Sequence, residues 1–75
     1  MTRGFQDEDT AKTVDFTECS GIAETEKAVL VRCVDWKEDM WIPKSQIHDD
    51  SEVYGEGHEG KLVITQWIAE RKGLV

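Results

Sequence analysis

The polar segment 48–60 holds the chain's one mixture of imidazole and carboxylate groups, and so its main candidates for metal or acid–base chemistry. His48-Asp49-Asp50 opens the segment and His58-Glu59 closes it. A calcium loop needs acids at alternate positions followed by glycine, and this spacing is absent. Two histidines alone do not make a zinc site, which needs a third protein ligand. We therefore interpret 48–60 as a solvated acidic loop and predict no metal and no cofactor.

The same segment offers no nucleophile or phosphate-binding loop. Ser45 and Ser51 flank His48, but residues so close in a short loop seldom reach triad geometry. The run 55–60 matches the Gly-x-Gly-x-x-Gly pattern. A dinucleotide-binding loop follows a strand and opens a helix, whereas this run is acidic and precedes a predicted strand. We predict that the protein is not an enzyme.

Two cysteines, Cys19 and Cys33, could pair in principle. Two are too few for the disulfide scaffold of a small secreted protein, and they lack the Cys-x-x-Cys spacing of a redox or zinc motif. We interpret them as free, buried thiols.

Three tryptophans are many for 75 residues, and two interpretations are open for them. Trp41 and Trp67 are predicted to fill the core or cover one end of it. Trp36 lies between charged residues and could be the exposed anchor of a protein interface, where tryptophan is enriched. Alternatively, Trp36 and Trp41 could stack single-stranded bases while three cations contact phosphates; these are Arg32, Lys37 and Lys44.

Negative charge dominates the chain, whose net charge is −7. Segment 1–26 has seven acidic and two basic residues, and segment 48–59 has five acidic residues and no Lys or Arg. Such a field repels phosphate backbones and attracts basic protein surfaces. Nucleic acid is therefore the less favoured partner, and a protein with a basic surface is the more favoured one.

The hydrophobic pattern predicts a mostly β domain that positions these groups. Residues 1–12 are expected to be a disordered acidic arm, and 13–75 a single domain. Pro43 ends one strand and starts a helical or 3₁₀ turn that returns Ile47 to the core. A short helix is predicted near the C-terminus, with Thr65 as its N-cap and Gly73 as its stop signal. The predicted strands are 13–18, 20–23, 27–34, 40–42 and 61–65, followed by a helix at 66–72. Segment 13–18 could instead be an extended lead-in to the first strand.

The segment Met40-Trp41-Ile42-Pro43-Lys44-Ser45-Gln46-Ile47 resembles the end of a Src homology 3 type barrel. With five strands, this implies a small, partly open barrel, of that type or of the oligonucleotide-binding type, with a short C-terminal helix. Through segments 27–31, 41–53 and 67–70, the chain from Glu24 to Val75 also resembles small uncharacterised proteins of bacteria and their phages. That resemblance implies a phage or prophage accessory role and brings no catalytic residues with it.

The predicted function is a non-enzymatic, acidic protein-binding module, acting as a monomer or homodimer. A narrower hypothesis is inhibition of a host nucleic-acid-binding protein by phosphate mimicry. The start of the chain lacks the apolar stretch of a secretory signal, and the longest apolar run, Ala28–Val31, is far too short to span a membrane, so we expect a cytoplasmic protein. The residues predicted to contact the partner are Trp36, Trp41, Asp49, Asp50, Glu52, Tyr54, Glu56 and Glu59.

Overall fold

Four antiparallel strands and one short helix make up the computed structural model, which describes residues 12–75. The sheet order is β3-β2-β1-β4. A 3₁₀ turn follows β3 directly, and the helix α1 follows β4 directly. The elements are β1 (Thr13–Glu24), β2 (Ala28–Cys33), β3 (Met40–Pro43), the 3₁₀ turn (Lys44–Gln46), β4 (Glu59–Thr65) and α1 (Gln66–Arg71).

The first strand is longer than predicted, because the two strands expected at 13–18 and 20–23 are one. It pairs with β4 through its first part and with β2 through its second. Two register shifts interrupt the pairing, between Phe16 and Cys19 and between Gly21 and Ala23. Such a register shift marks a β-bulge, where one strand has an extra residue, and a bulge bends the strand and increases its twist. A mostly β domain with a C-terminal helix is confirmed, but the described residues form four strands rather than five.

The outer edge of β4 is covered by the segment that follows the 3₁₀ turn. Ile47 forms an isolated bridge with Ile64. The backbone N–H of His48 then donates to Val63 O at 2.8 Å, and that of Glu52 donates to Lys61 O at 2.7 Å. The predicted return of Ile47 to the core is confirmed, since it packs against the buried cluster.

The core consists of the inward-facing side chains of all four strands together with part of α1. On β2, Val29 and Val31 are fully buried, and Ile42 of β3 lies opposite Val29. The predicted N-cap of α1 is confirmed, because Thr65 Oγ1 accepts a hydrogen bond from Ile68 N at 3.2 Å. The buried cluster comprises Cys19, Val29, Val31, Cys33, Ile42, Val53, Leu62, Ile64, Ile68 and Ala69.

The cysteine prediction is right about burial and wrong about pairing. Cys19 and Cys33 are 1% and 2% exposed, and their sulfurs form a disulfide of 2.05 Å. The two residues lie directly opposite each other on β1 and β2. Because this register depends on the register shift between Gly21 and Ala23, the spacing of 14 residues in the sequence does not reveal it.

The predicted arm lies outside the described residues, apart from Lys12. No helix in the described part of the chain is long and apolar enough to cross a membrane.

Candidate functional site

An open groove of about 440 Å³ lies beside the 3₁₀ turn and brings together two of the predicted contact residues, Asp49 and Tyr54. Tyr54 is 59% exposed, and Asp49 is also exposed. The apolar part of the lining is Ile47, which is anchored to the core. We call this surface the groove; its lining is Lys44, Ile47, His48, Asp49 and Tyr54.

The loop that carries Asp49 and Tyr54 is held against β4 by a buried hydroxyl. Ser51 is 6% exposed, and its Oγ donates to Val53 O at 2.8 Å and accepts from Val53 N at 3.2 Å. The same Oγ lies 3.3 Å from Lys61 O on β4, which it can also donate to. The adjacent Val53 side chain is fully buried. The predicted acidic loop therefore has a fixed backbone next to the groove.

Glu52 fixes the same loop. Its Oε1 accepts a hydrogen bond from Lys61 N at 2.8 Å. The carboxylate lies so close over Gly60 that a Cβ there would be 2.4 Å from Oε1. Glu52, predicted as a contact residue, thus holds the loop to β4.

Glu24, which sequence reasoning did not single out, joins the 3₁₀ turn to the far end of the loop. Its carboxylate binds Lys44 Nζ through Oε2, and its Oε1 accepts from Glu56 N at 3.0 Å. The Lys44 hydrogen bond, and next the Glu56 N–H, lower the pKa of Glu24 below its ordinary value of 4.5. The positive charge of Lys44 in the groove is therefore compensated from outside the groove.

The histidines serve the backbone of the loop. His48 Nδ1 accepts from Asp50 N at 3.1 Å, and His58 Nδ1 accepts from Tyr54 N at 3.3 Å. The Tyr54 and His58 rings meet edge to face, with centroids 4.2 Å apart. The structure shows no group of three or more His, Cys, Asp or Glu able to hold a metal ion between residues 12 and 75.

Trp36 is not part of the groove lining. It is half-buried, and its ring packs edge-on against Phe16 with centroids 5.2 Å apart. Its Nε1 is buried without a hydrogen-bond partner in the described part of the chain. Trp36 is therefore half-buried rather than exposed, because Phe16 of the long first strand packs against its ring, and its role as an interface anchor stays a prediction.

Trp41 and Glu59 lie on the solvent-facing side of the sheet. Trp41 is 42% exposed, opposite Leu30 of β2, which corrects the prediction that it fills the core. Glu59 is exposed, opposite Ser20 of β1. The eight predicted residues therefore do not form one surface. Asp49 and Tyr54 line the groove, and Trp41 and Glu59 lie on this outer face. Glu52 holds the loop to β4, Trp36 packs against Phe16, and Asp50 and Glu56 are exposed acids of the loop.

Two of the three cations invoked for nucleic-acid binding are already in ion pairs. Arg32 binds Asp39 with both nitrogens, Nε to Oδ1 at 3.0 Å and Nη2 to Oδ2 at 3.2 Å. This pairing raises the pKa of Arg32. Lys44 is paired with Glu24. Only Lys37 of that set has no carboxylate partner among residues 12–75.

The chain matches no protein-family model, no curated protein and no solved structure in comparisons with all three. The resemblance of the Met40–Ile47 segment to a known barrel therefore rests on its residues alone.

Proposed function

We propose that the protein is a non-enzymatic binding module whose groove takes a basic segment of a partner protein. The observation that carries this proposal is the exposed ring of Tyr54 beside the exposed carboxylate of Asp49, on a loop held in place by buried contacts. An aromatic anchor on a preorganised backbone contributes strongly to binding, because little conformational entropy is lost on contact.

The charge around the groove favours a cationic partner. Because Glu24 compensates Lys44, the remaining charge comes from Asp49 and from nearby acids of the same loop. These acids are Asp50, Glu52 and Glu56. Charges of one sign on a rim steer an oppositely charged partner and give binding that weakens with salt.

Binding of single-stranded nucleic acid is less well supported. The ion pairs of Arg32 and Lys44 leave few cations for phosphate contacts, and the net charge of −7 repels a polyanion. Half-burial of Trp36 removes one of the two rings proposed for base stacking.

The sequence resemblance to phage and bacterial proteins suggests a narrower form of the proposal. In it, the loop acids occupy the nucleic-acid groove of a host protein in place of phosphates. The barrel architecture also stays a prediction; cover of the β4 edge by segment 47–53 supports it.

The groove can be tested with a short peptide of alternating Gly and Arg, titrated into ¹⁵N-labelled protein. We expect amide shifts confined to residues 44–54, and an affinity that falls as salt rises from low to physiological. Tyr54→Ala should weaken binding about tenfold. Asp49→Asn should weaken it about two- to fivefold, as for one exposed ion pair.

The matched control for Asp49→Asn is Glu38→Gln, which removes an exposed charge from the connection between β2 and β3. It should leave the affinity nearly unchanged. Equal losses in both variants would mean that net charge, and not the groove, binds the peptide. Tighter binding of a single-stranded oligonucleotide than of the peptide would support the nucleic-acid alternative instead.

A further inference from the structure

The outer face of the sheet carries a continuous apolar surface that the groove does not include. Leu30 lies opposite both Trp41 and Ala23, so these three side chains form one row across β3, β2 and β1. Ala28, two residues from Leu30, lies opposite Pro43 and extends the surface. We call this surface the Trp41 face; its members are Ala23, Ala28, Leu30, Trp41 and Pro43.

No element among residues 12–75 covers this face. The helix α1 packs on the opposite side of the sheet, where Ile68 and Ala69 join the core. Trp41 is 42% exposed, and the other four members are half-buried. A contiguous apolar surface with a polar border is typical of an interaction site.

One border of the Trp41 face is a row of charged and polar side chains. Arg32 lies opposite Ser20, and Ser20 lies opposite Glu59. The bidentate pair with Asp39 neutralises Arg32. The uncompensated charge of this row is therefore the negative charge of Glu59, which has no ion-pair partner in the described part of the chain.

Ser20 and Glu59 also line a shallow depression of about 520 Å³ next to this row. Its remaining lining includes Glu18, which the β1 bulge holds at a φ of +56°. A cation entering the depression would meet two carboxylates, those of Glu18 and Glu59. We call it the acidic depression; its lining is Glu18, Cys19, Ser20, Glu59 and Gly60.

We propose that the Trp41 face docks a segment of a partner protein that presents apolar side chains with Lys or Arg beside them. The apolar side chains cover Trp41 and Leu30, and the cation occupies the acidic depression. We infer the chemistry of the occupant from charge. Two copies of this chain, each with a net charge of −7, would repel each other, so a second copy is disfavoured. Anionic lipid and nucleic acid are disfavoured for the same reason. This surface is separate from the groove, which the alternating Gly and Arg peptide tests.

The probe for the Trp41 face is a fluorescein-labelled peptide of alternating Leu and Lys, measured by fluorescence anisotropy and by shifts in the ¹⁵N spectrum. Trp41→Thr keeps a residue suited to a strand and should weaken binding at least about tenfold. The matched control is Trp67→Gln on α1, because the exposed fraction of Trp67, 39%, is similar to that of Trp41. Trp67→Gln should change the affinity for the Leu and Lys peptide less than about twofold.

The acidic depression has its own arm of the experiment. Glu59→Gln should weaken the Leu and Lys peptide about two- to fivefold and reduce its salt dependence. Peptides of alternating Leu and Glu, or of alternating Ser and Lys, should each bind at least about tenfold more weakly, because each lacks one half of the recognised chemistry.

Three results would overturn the proposal. One is an unchanged affinity in a folded Trp41→Thr variant, with folding verified by circular dichroism. The second is peptide-induced shifts located at 44–54 instead of along β2 and β3. The third is a dimer in sedimentation that dissociates on Trp41→Thr, since the occupant would then be a second copy.

Discussion

Glu24 illustrates how one side chain fixes a surface that it does not line. It ends β1, yet its two carboxylate oxygens reach the 3₁₀ turn through Lys44 and the far loop through Glu56 N. The groove lies between those two attachments. Its geometry therefore depends on a charged hydrogen bond acceptor, which neutral side chains replace only in part.

The lowered pKa of Glu24 gives this role a pH dependence. A carboxyl whose pKa is lowered in the folded state stabilises that state at pH values above its ordinary pKa of 4.5. This stabilisation is lost as the pH falls through the folded-state pKa. We expect Glu24→Gln to unfold at lower urea than the wild type at pH 7, and this difference in urea midpoint to be smaller at pH 3. Urea titration followed by tryptophan fluorescence measures both.

Glu26→Gln is the control, because Glu26 is an exposed acid in the turn just beyond β1. It should resemble the wild type at both pH values. A Glu24→Gln deficit of equal size at pH 3 and pH 7 would show that the ionised carboxylate is not the cause.

At the scale of elements, the bent β1 determines where the loop before β4 can lie. Gly21 is buried, its N–H donates to His58 O at 2.8 Å, and its O accepts from Gly57 N at 2.9 Å. A Cβ at Gly21 would lie 2.0 Å from Gly55 O. The backbone of the loop therefore rests directly on β1, which only glycine permits at this point.

We expect Gly21→Ala to destabilise the fold by about 1–3 kcal/mol, because the backbone of 55–57 must move away. Gly57→Ala is the matched comparison: the φ of Gly57 is +89°, but no atom outside this residue and its two chain neighbours lies within 4 Å of the added methyl group. That variant should lose only about 1 kcal/mol, from the backbone conformation. A loss at Gly21 no larger than that at Gly57 would contradict the close approach.

The local elements were predictable where the signal lies within a few residues. Pro43 marked the end of β3, and Thr65 with Gly73 marked the ends of the helical segment. The union of two strands into β1 was not predictable, because it depends on bulges whose cause is pairing with β4 and β2. For the same reason the position of Trp36 against Phe16 could not be read from its charged neighbours.

At the scale of the molecule, the charge composition of the sequence predicts an acidic loop, but it does not predict which residues share a surface. The acidic loop was predicted, and the structure places Asp49 and Tyr54 in one groove. It separates them from Trp41 and Glu59, which β3 and β4 carry to the outer face. Sequence proximity groups residues of one loop, whereas sheet register groups residues far apart in the chain, and one sequence does not give that register.

The Cys19–Cys33 disulfide links two neighbouring strands of the sheet, the bulged β1 and the central β2. Closing a loop of this size removes entropy from the unfolded chain, so reduction should lower the free energy of unfolding by about 3 kcal/mol. For so small a domain that is a large share of the total, and in a reducing compartment the pair would be thiols. Urea unfolding of fully oxidised and fully reduced protein measures the difference, with Cys19→Ala/Cys33→Ala as the control that reductant should not affect. Equal stability of the two redox forms, or two free thiols in protein handled under air, would contradict a structural role for the bond.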